Sequence, residues 1–207
     1  LHKDGRELSV EVNLNAVKTD QGWELMALLH DVREHKQIEE RLHDIAMHDS
    51  LTGLANRGAF MEACDKAMAR AMRHGHSLAL LQLGLNGFKQ INDSHGHPAG
   101  DRALQEFAER LLGCVRRSDT VARLGGDEFA VLAEGVASKE QAIMLAEKVL
   151  QALEPPLQHP PLKLHVSIGI TLYKDQLDAS ELLRETDQAM AVSKRVPGAP
   201  PVVFFPS

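Results

Sequence analysis

The stretch Thr120-Val121-Ala122-Arg123-Leu124-Gly125-Gly126-Asp127-Glu128-Phe129-Ala130-Val131-Leu132-Ala133 holds two short apolar-rich runs joined through adjacent glycines. Thr120 to Arg123 and Glu128 to Ala133 have strand composition, and Gly125-Gly126 supplies turn positions of the kind that need positive φ. The expectation is a β-hairpin with two carboxylates, Asp127 and Glu128, directly after its tip. Those acids have two readings. They are solvated acids at a hairpin tip, or the glycines admit a phosphate close to the backbone while an acid holds a hard divalent cation. Spacing alone favours the first.

Helical and strand patterns alternate around this hairpin. Gly58 to Arg73 is an amphipathic helix ending at His74-Gly75, and Leu78 to Leu85 is an apolar run of buried-strand length. Pro98 marks a helix start, and Asp101 to Arg117 carries apolar residues at helical spacing. Lys139 to Leu153 reads as a helix stopped by Pro155-Pro156, Lys163 to Tyr173 as a strand, Ser180 to Lys194 as a helix and Val202 to Phe205 as a last strand. The fold class expected is α/β, or α+β with a mostly antiparallel sheet.

Upstream, Leu8 to Leu14 alternates apolar and polar residues, Asp20-Gln21-Gly22 makes a turn, and Trp23 to Leu29 forms a second strand. From Glu34 to Met47 the period becomes helical, and Ile38, Leu42 and Ile45 make a heptad-like seam. That seam suits a parallel two-helix coiled coil or a helix lying on its own domain equally well. The chain opens at Leu1, mid-way through a strand-like pattern, which suggests a piece of a longer protein.

The formal net charge of -6 and a pI near 6.0 give no electrostatic reason to expect nucleic acid as a partner. Cys64 and Cys114 lie in apolar helical stretches and read as core residues of a reducing compartment. No apolar run is long enough to span a bilayer, so the expected location is cytoplasmic, with a membrane anchor elsewhere in a longer parent left open. Among eleven histidines, His95, His97, His74 and His76 invite a zinc reading, yet no Cys/His set has a four-ligand arrangement.

Several motifs in register change the odds at the hairpin. Asp49-Ser50-Leu51-Thr52-Gly53-Leu54-Ala55-Asn56-Arg57, Phe88-Lys89-Gln90-Ile91-Asn92-Asp93, His95-Gly96-His97, Gly100-Asp101, Gly125 to Phe129, Val166-Ser167-Ile168-Gly169-Ile170 and Asp187-Gln188-Ala189-Met190 follow one another. Together they resemble the GGDEF family over about Arg41 to Phe205. The resemblance implies a nucleotidyl-cyclase-like palm fold, with a central mostly antiparallel sheet flanked by helices. It also implies that two facing domains, each holding one GTP, condense the pair into cyclic di-GMP with Mg²⁺ or Mn²⁺.

Carried over residue by residue, the resemblance makes Asn92 and Asp101 the guanine readers. Phe88, Gly125, Gly126 and Lys194 join them in the nucleotide site, and Lys89 and Lys194 face phosphate. Asp127, Glu128 and the Leu85 backbone carbonyl become the metal donors, with Asp127, Glu128 and Lys89 as the catalytic set. Arg116 and Asp119 match the family's inhibitory cyclic di-GMP site, where arginine reaches guanine O6 and N7. The stretch from Lys3-Asp4-Gly5 to His35-Lys36 is similar to the last strands and exit of a PAS sensor domain, roughly its final third. The implied division is 1–33 for a truncated PAS domain, 34–48 for a linker helix and 49–207 for the GGDEF domain.

One departure matters most. Where the family pattern has Asp-x-Asp before Phe-Lys, this chain has Gly84-Leu85-Asn86, so a metal-ligand aspartate is replaced by Gly84. Neutral Asn86 is a poor substitute for a cation that prefers carboxylates. After Lys194 the family's Gly-Arg is also changed, to Arg195-Val196-Pro197-Gly198. The expectation is a domain that binds GTP, cyclic di-GMP or both, with weakened metal binding and weak or no cyclase activity. The alternatives are an active, dimeric diguanylate cyclase, or a non-binding dimerisation scaffold. Expected partners are a second copy, through helix 34–48 and the GGDEF face, and a C-terminal phosphodiesterase domain in the parent.

Overall fold

The computed structural model describes residues 10–20, 22–31, 44–158, 161–173, 177–195 and 202–204. The chain divides into two units, 1–46 and 47–207. In the first, β1 (Val10–Thr19) pairs antiparallel with β2 (Gly22–Asp31) through the expected turn. β1 runs five residues beyond Leu14 because the backbone ladder continues to Thr19↔Gly22 after the apolar alternation fades. Val12, Leu14, Trp23 and Leu25 are exposed, so this ribbon builds no core within its own unit. Most of the proposed linker helix lies outside the described residues; 44–47 are helical.

The second unit runs α1 (Arg57–His74), β3 (Leu78–Asn86), α2 (Phe88–His95), α3 (His97–Cys114), β4 (Thr120–Gly125), β5 (Glu128–Glu134), α4 (Lys139–Leu153), β6 (His165–Leu172), α5 (Ala179–Arg195) and β7 (Val202–Phe204). The five strands lie in the order β4-β5-β3-β6-β7, antiparallel except for the β6–β7 pair. The expected mostly antiparallel sheet is what forms. Strand alternation then sorts β3 between two cores. Ala79, Leu81, Leu83 and Leu85 pack with α3 and α4, where Phe107 meets Phe129 edge-on at 4.6 Å. Leu78 and Leu80 pack with α1 and α5 around Phe60, Cys64 and Leu182. Gln82 and Gly84 share that second face by the same period.

Two helix assignments differ from the sequence expectation. The stretch 88–95 forms its own helix, entered through left-handed Gly87 (φ 73°) and left at Gly96. α3 starts at His97, with Pro98 in its first turn as expected, but it ends at Cys114 rather than Arg117. Its last carbonyls are occupied by side chains: Lys148 Nζ donates to Cys114 O at 2.8 Å. Both cysteines are free and buried. Burial, with Asp65 adding to it, pushes the Cys64 thiol up to about 12, as suits an inert core residue.

β6 and α5 touch most closely at Gly169. A Cβ there would lie 2.2 Å from Thr186 O and 2.4 Å from Met190 N, so the helix backbone rests directly on the strand. This close seat carries the C-terminal turn of α5 over the end of β3.

Candidate functional site

The site forms where β3, the β4–β5 turn and the end of α5 meet. Gly125 (φ 142°) and Gly126 (φ 53°) take the positive φ values expected of the turn. Arg123 folds back over it: Nε and Nη2 donate to Gly126 O at 3.0 and 2.8 Å. Its Nη1 donates to both Asp49 oxygens at 3.1 and 3.2 Å. Asp49 also accepts from Thr52 N at 2.9 Å and Thr52 Oγ1 at 2.7 Å. Burial alone would push the Asp49 carboxyl up, but the Thr52 and Arg123 hydrogen bonds outweigh it and hold it below its ordinary value. Asp49 and Arg123 thus position the turn. Sequence reasoning matched Asp49 to a motif and read Arg123 as a strand end, and gave neither a role; the only available signal was an acid in the entry motif and a guanidinium two residues before the Gly-Gly turn.

Register then sets the acids. Gly84 pairs with Glu128, and Leu85 N–H donates to Asp127 O at 3.2 Å, pinning the turn to the end of β3. Asp127 and Glu128 are half-buried beside Gly84. Lys194 reaches the same spot from α5, with Nζ 3.3 Å from Asp127 Oδ2. A Cβ on residue 84 would lie 2.3 Å from both Cε and Nζ of Lys194. The lysine end therefore occupies the space that a side chain at 84 would enter. Asn86, on the same face, accepts from Ser167 Oγ at 3.1 Å and so turns its oxygen to β6.

The resemblance implies a divalent cation here, and the donor set does not fit one. Gly84 supplies no side-chain oxygen, Asn86 Oδ1 is turned to Ser167, and an ammonium stands against Asp127. Among the described residues no group of three or more His, Cys, Asp or Glu is arranged to hold a metal ion.

The guanine candidates come from the α2–α3 junction. A Cβ on Gly100 would fall 1.9 Å from Asn92 Oδ1 and 3.2 Å from Phe88 Cζ, so Asn92 packs on bare backbone next to Asp101. Asn92 Oδ1 is buried and has no hydrogen-bond partner among the described residues, whereas Asp101 and Lys89 are exposed. An unpartnered amide oxygen beside an open carboxylate suits a ligand bearing N–H donors.

Two further clefts border this unit. Arg116 and Asp119 line a cavity of about 300 Å³ with Glu134, Met144 and Lys148. The Asp119 carboxylate already accepts from Arg116 N at 2.8 Å and Glu134 N at 3.3 Å, which fixes its orientation. The second, of about 620 Å³, is lined by Arg57, Gln82, Glu128, Arg184 and Asp187. Buried Gln82 donates from Nε2 to Asp187 Oδ1 at 3.2 Å. Sequence reasoning passed over Gln82, a polar residue inside an apolar strand run.

Comparison with known proteins places this geometry. The family described as "Diguanylate cyclase, GGDEF domain" matches residues 46–198. Diguanylate cyclase TpbB of Pseudomonas aeruginosa PAO1 is 41% identical over 154 residues, covering 72% of this chain and 35% of TpbB. MucR of the same organism, a bifunctional diguanylate cyclase/cyclic di-GMP phosphodiesterase, is 40% identical over 161 residues, 76% of this chain and 23% of MucR. The chain thus spans about a third or less of the length of these curated relatives.

Among solved structures, the GGDEF domain of TpbB matches with a TM-score of 0.72 at 38% identity, covering 77% of this chain and 94% of that one. The coiled coil and GGDEF domain of DgcB from Caulobacter crescentus, in complex with c-di-GMP, matches with a TM-score of 0.75 at 26% identity, covering 84% and 93%. With the motifs in register, the sheet order and these matches in agreement, the chain belongs to the diguanylate cyclase GGDEF-domain family of cyclic di-GMP signalling.

Proposed function

We propose that this domain binds GTP, cyclic di-GMP or both as a regulatory module, and that it forms cyclic di-GMP slowly or not at all. The observation that carries this is Gly84 facing Glu128, with Asn86 Oδ1 accepting from Ser167 and the Lys194 ammonium, not a carboxylate, in the space beside residue 84. Cyclase chemistry in this family depends on charge neutralisation at the phosphates, and removing one ligand from such a set weakens it. Guanine recognition by Asn92 and Asp101 is independent of residue 84.

The test is cyclic di-GMP formation from GTP with Mg²⁺ or Mn²⁺ by nucleotide-free protein, beside calorimetric binding of GTP and cyclic di-GMP. The chain should bind guanine nucleotide without turnover, and Gly84→Asp should gain turnover. Product formed by the unaltered chain at a rate comparable to Gly84→Asp would sink the proposal. An active dimeric cyclase is the second reading, favoured by retained Asp127, Glu128, Asn92, Asp101 and Lys89.

Gly100→Ala gives a sharper check on the guanine assignment. Its methyl would displace Asn92 Oδ1, and loss of one such hydrogen bond should weaken GTP binding about tenfold. Chemical denaturation should show a loss of no more than about 2 kcal/mol, because alanine's helix preference offsets part of the overpacking against Asn92 Cγ at 2.9 Å and Phe88 Cζ at 3.2 Å. Unchanged GTP affinity would remove Asn92 from the site.

Around this core we read Arg116 and Asp119 as a cyclic di-GMP site, supported by their shared cavity and by DgcB, which was solved with that ligand. Residues 1–33 read as the end of a PAS sensor and 34–48 as a pairing helix, supported by the open apolar ribbon and by exposed Ile45 in the seam. The module acts in the cytoplasm as a pair of copies, and a phosphodiesterase domain in the parent, as in MucR, is its natural output. No helix among the described residues is long and apolar enough to cross a membrane.

A further inference from the structure

We infer that the Lys194 ammonium has taken over the electrostatic role of a divalent ion, so that this domain binds the polyphosphate of a guanine nucleotide without a divalent cation. The inference rests on the guanine-nucleotide reading above and adds how the phosphates are held.

Three observations on different elements converge on it. At β3, residue 84 is glycine, and the volume its side chain would need is filled by Cε and Nζ of Lys194, each 2.3 Å from the Cβ position. At the turn, that ammonium lies 3.3 Å from Asp127 Oδ2, the acid that the family resemblance makes a cation ligand. On α5, the seat of the helix on Gly169 fixes how far Lys194 reaches, so its arrival over Gly84 follows from backbone packing.

Charge accounts for the consequence. A carboxylate at 84 would make three acids around one point, which calls for a doubly charged ion. With glycine there, Asp127 and Glu128 remain, and one ammonium already offsets half their charge. A further divalent ion gains less from this cluster and must displace the lysine. The ammonium has three donors, and the pair with Asp127 is part-exposed, the side chains being 26% and 32% accessible. A pair of that kind is weak. Nζ can therefore keep Asp127 neutralised and still donate to an incoming phosphate.

Calorimetry with GTP and with guanosine, each in Mg²⁺ and in EDTA, tests this on the chain as it stands. GTP affinity should differ by no more than about threefold between the two conditions. Lys194→Met should weaken GTP about tenfold or more, the scale of one lost charge-assisted hydrogen bond, and leave guanosine within about twofold. Gly84→Asp pushes aside the flexible end of Lys194 and shifts Met190 Sδ, 3.1 Å from the new Cβ, by a few tenths of an ångström, and should make GTP binding at least about tenfold tighter in Mg²⁺ than in EDTA.

If the unaltered chain loses GTP more than tenfold in EDTA, the inference is overturned while the guanine-nucleotide reading stands. An unchanged ratio of GTP to guanosine affinity in Lys194→Met overturns it as well. If neither GTP nor guanosine binds in any condition, the inference and the reading beneath it fall together.

Discussion

Gly169→Ala should lose about 3 kcal/mol of stability in urea denaturation, the upper end of overpacking costs. The reason is what the new methyl meets. It would sit 2.2 Å from Thr186 O, 2.4 Å from Met190 N and 2.9 Å from Met190 Cβ, two of them backbone atoms of α5. A rotamer change cannot clear backbone, so the helix must lift from the sheet. Thr186 and Met190 are buried in that seam, and the loss of close packing spreads along it.

Lifting α5 also draws Lys194 away from Asp127, so GTP affinity should fall even where the variant is still folded. Gly113→Ala is the matched control. It lies in α3 with nothing within 4 Å of the new methyl, and it should be neutral or stabilising by up to about 1 kcal/mol. Equal behaviour of the two variants would refute the close seat of α5.

Asp49→Ala should cost about 2–4 kcal/mol, between the value of a charge-assisted hydrogen bond and that of a fully buried ion pair. Arg123 is only 12% exposed and would be left with Gly126 O as its acceptor, while Thr52 loses both of its bonds. The effect should also appear as pH dependence. Asp49 has a folded pKa below its ordinary value of 3.8. Its contribution is therefore fully present above that value and is lost as pH falls through the folded pKa. Unfolding followed from pH 7 down to about pH 3 should show the unaltered chain losing part of its advantage over Asp49→Ala below roughly pH 4. A constant difference across that range would mean that the carboxylate's charge does not stabilise the fold.

Much of the architecture was legible in the residues because local periodicity reports it. The apolar run Leu78–Leu85, the Gly-Gly hairpin and the helical spacing of 139–153 each formed where expected. Boundaries fared worse where polar residues hid a helix. Phe88–His95 offers only Phe88 and Ile91 to the core, both half-buried, a stripe too short to announce a helix by periodicity. α3 starts at the Pro98 signal but stops at Cys114, three residues short of Arg117, where Arg116 N–H donates to the Asp119 carboxylate and Asp119 N–H to Arg116 O in a separate turn.

The sequence by itself determined the family, the two-glycine turn carrying Asp127 and Glu128, and the absence of a carboxylate at 84, because residue identity and spacing are enough for each. It could not say what stands in that carboxylate's place. Lys194 and Asp127 are 67 residues apart, and Asn86 and Ser167 are 81 apart. Their meeting depends on strand order, on register and on a helix resting against Gly169. Arg123 finds Asp49 from 74 positions away for the same reason. Only the folded sheet brings these groups within hydrogen-bond range, because side-chain contacts across a sheet are set by which strands are neighbours and not by distance along the chain.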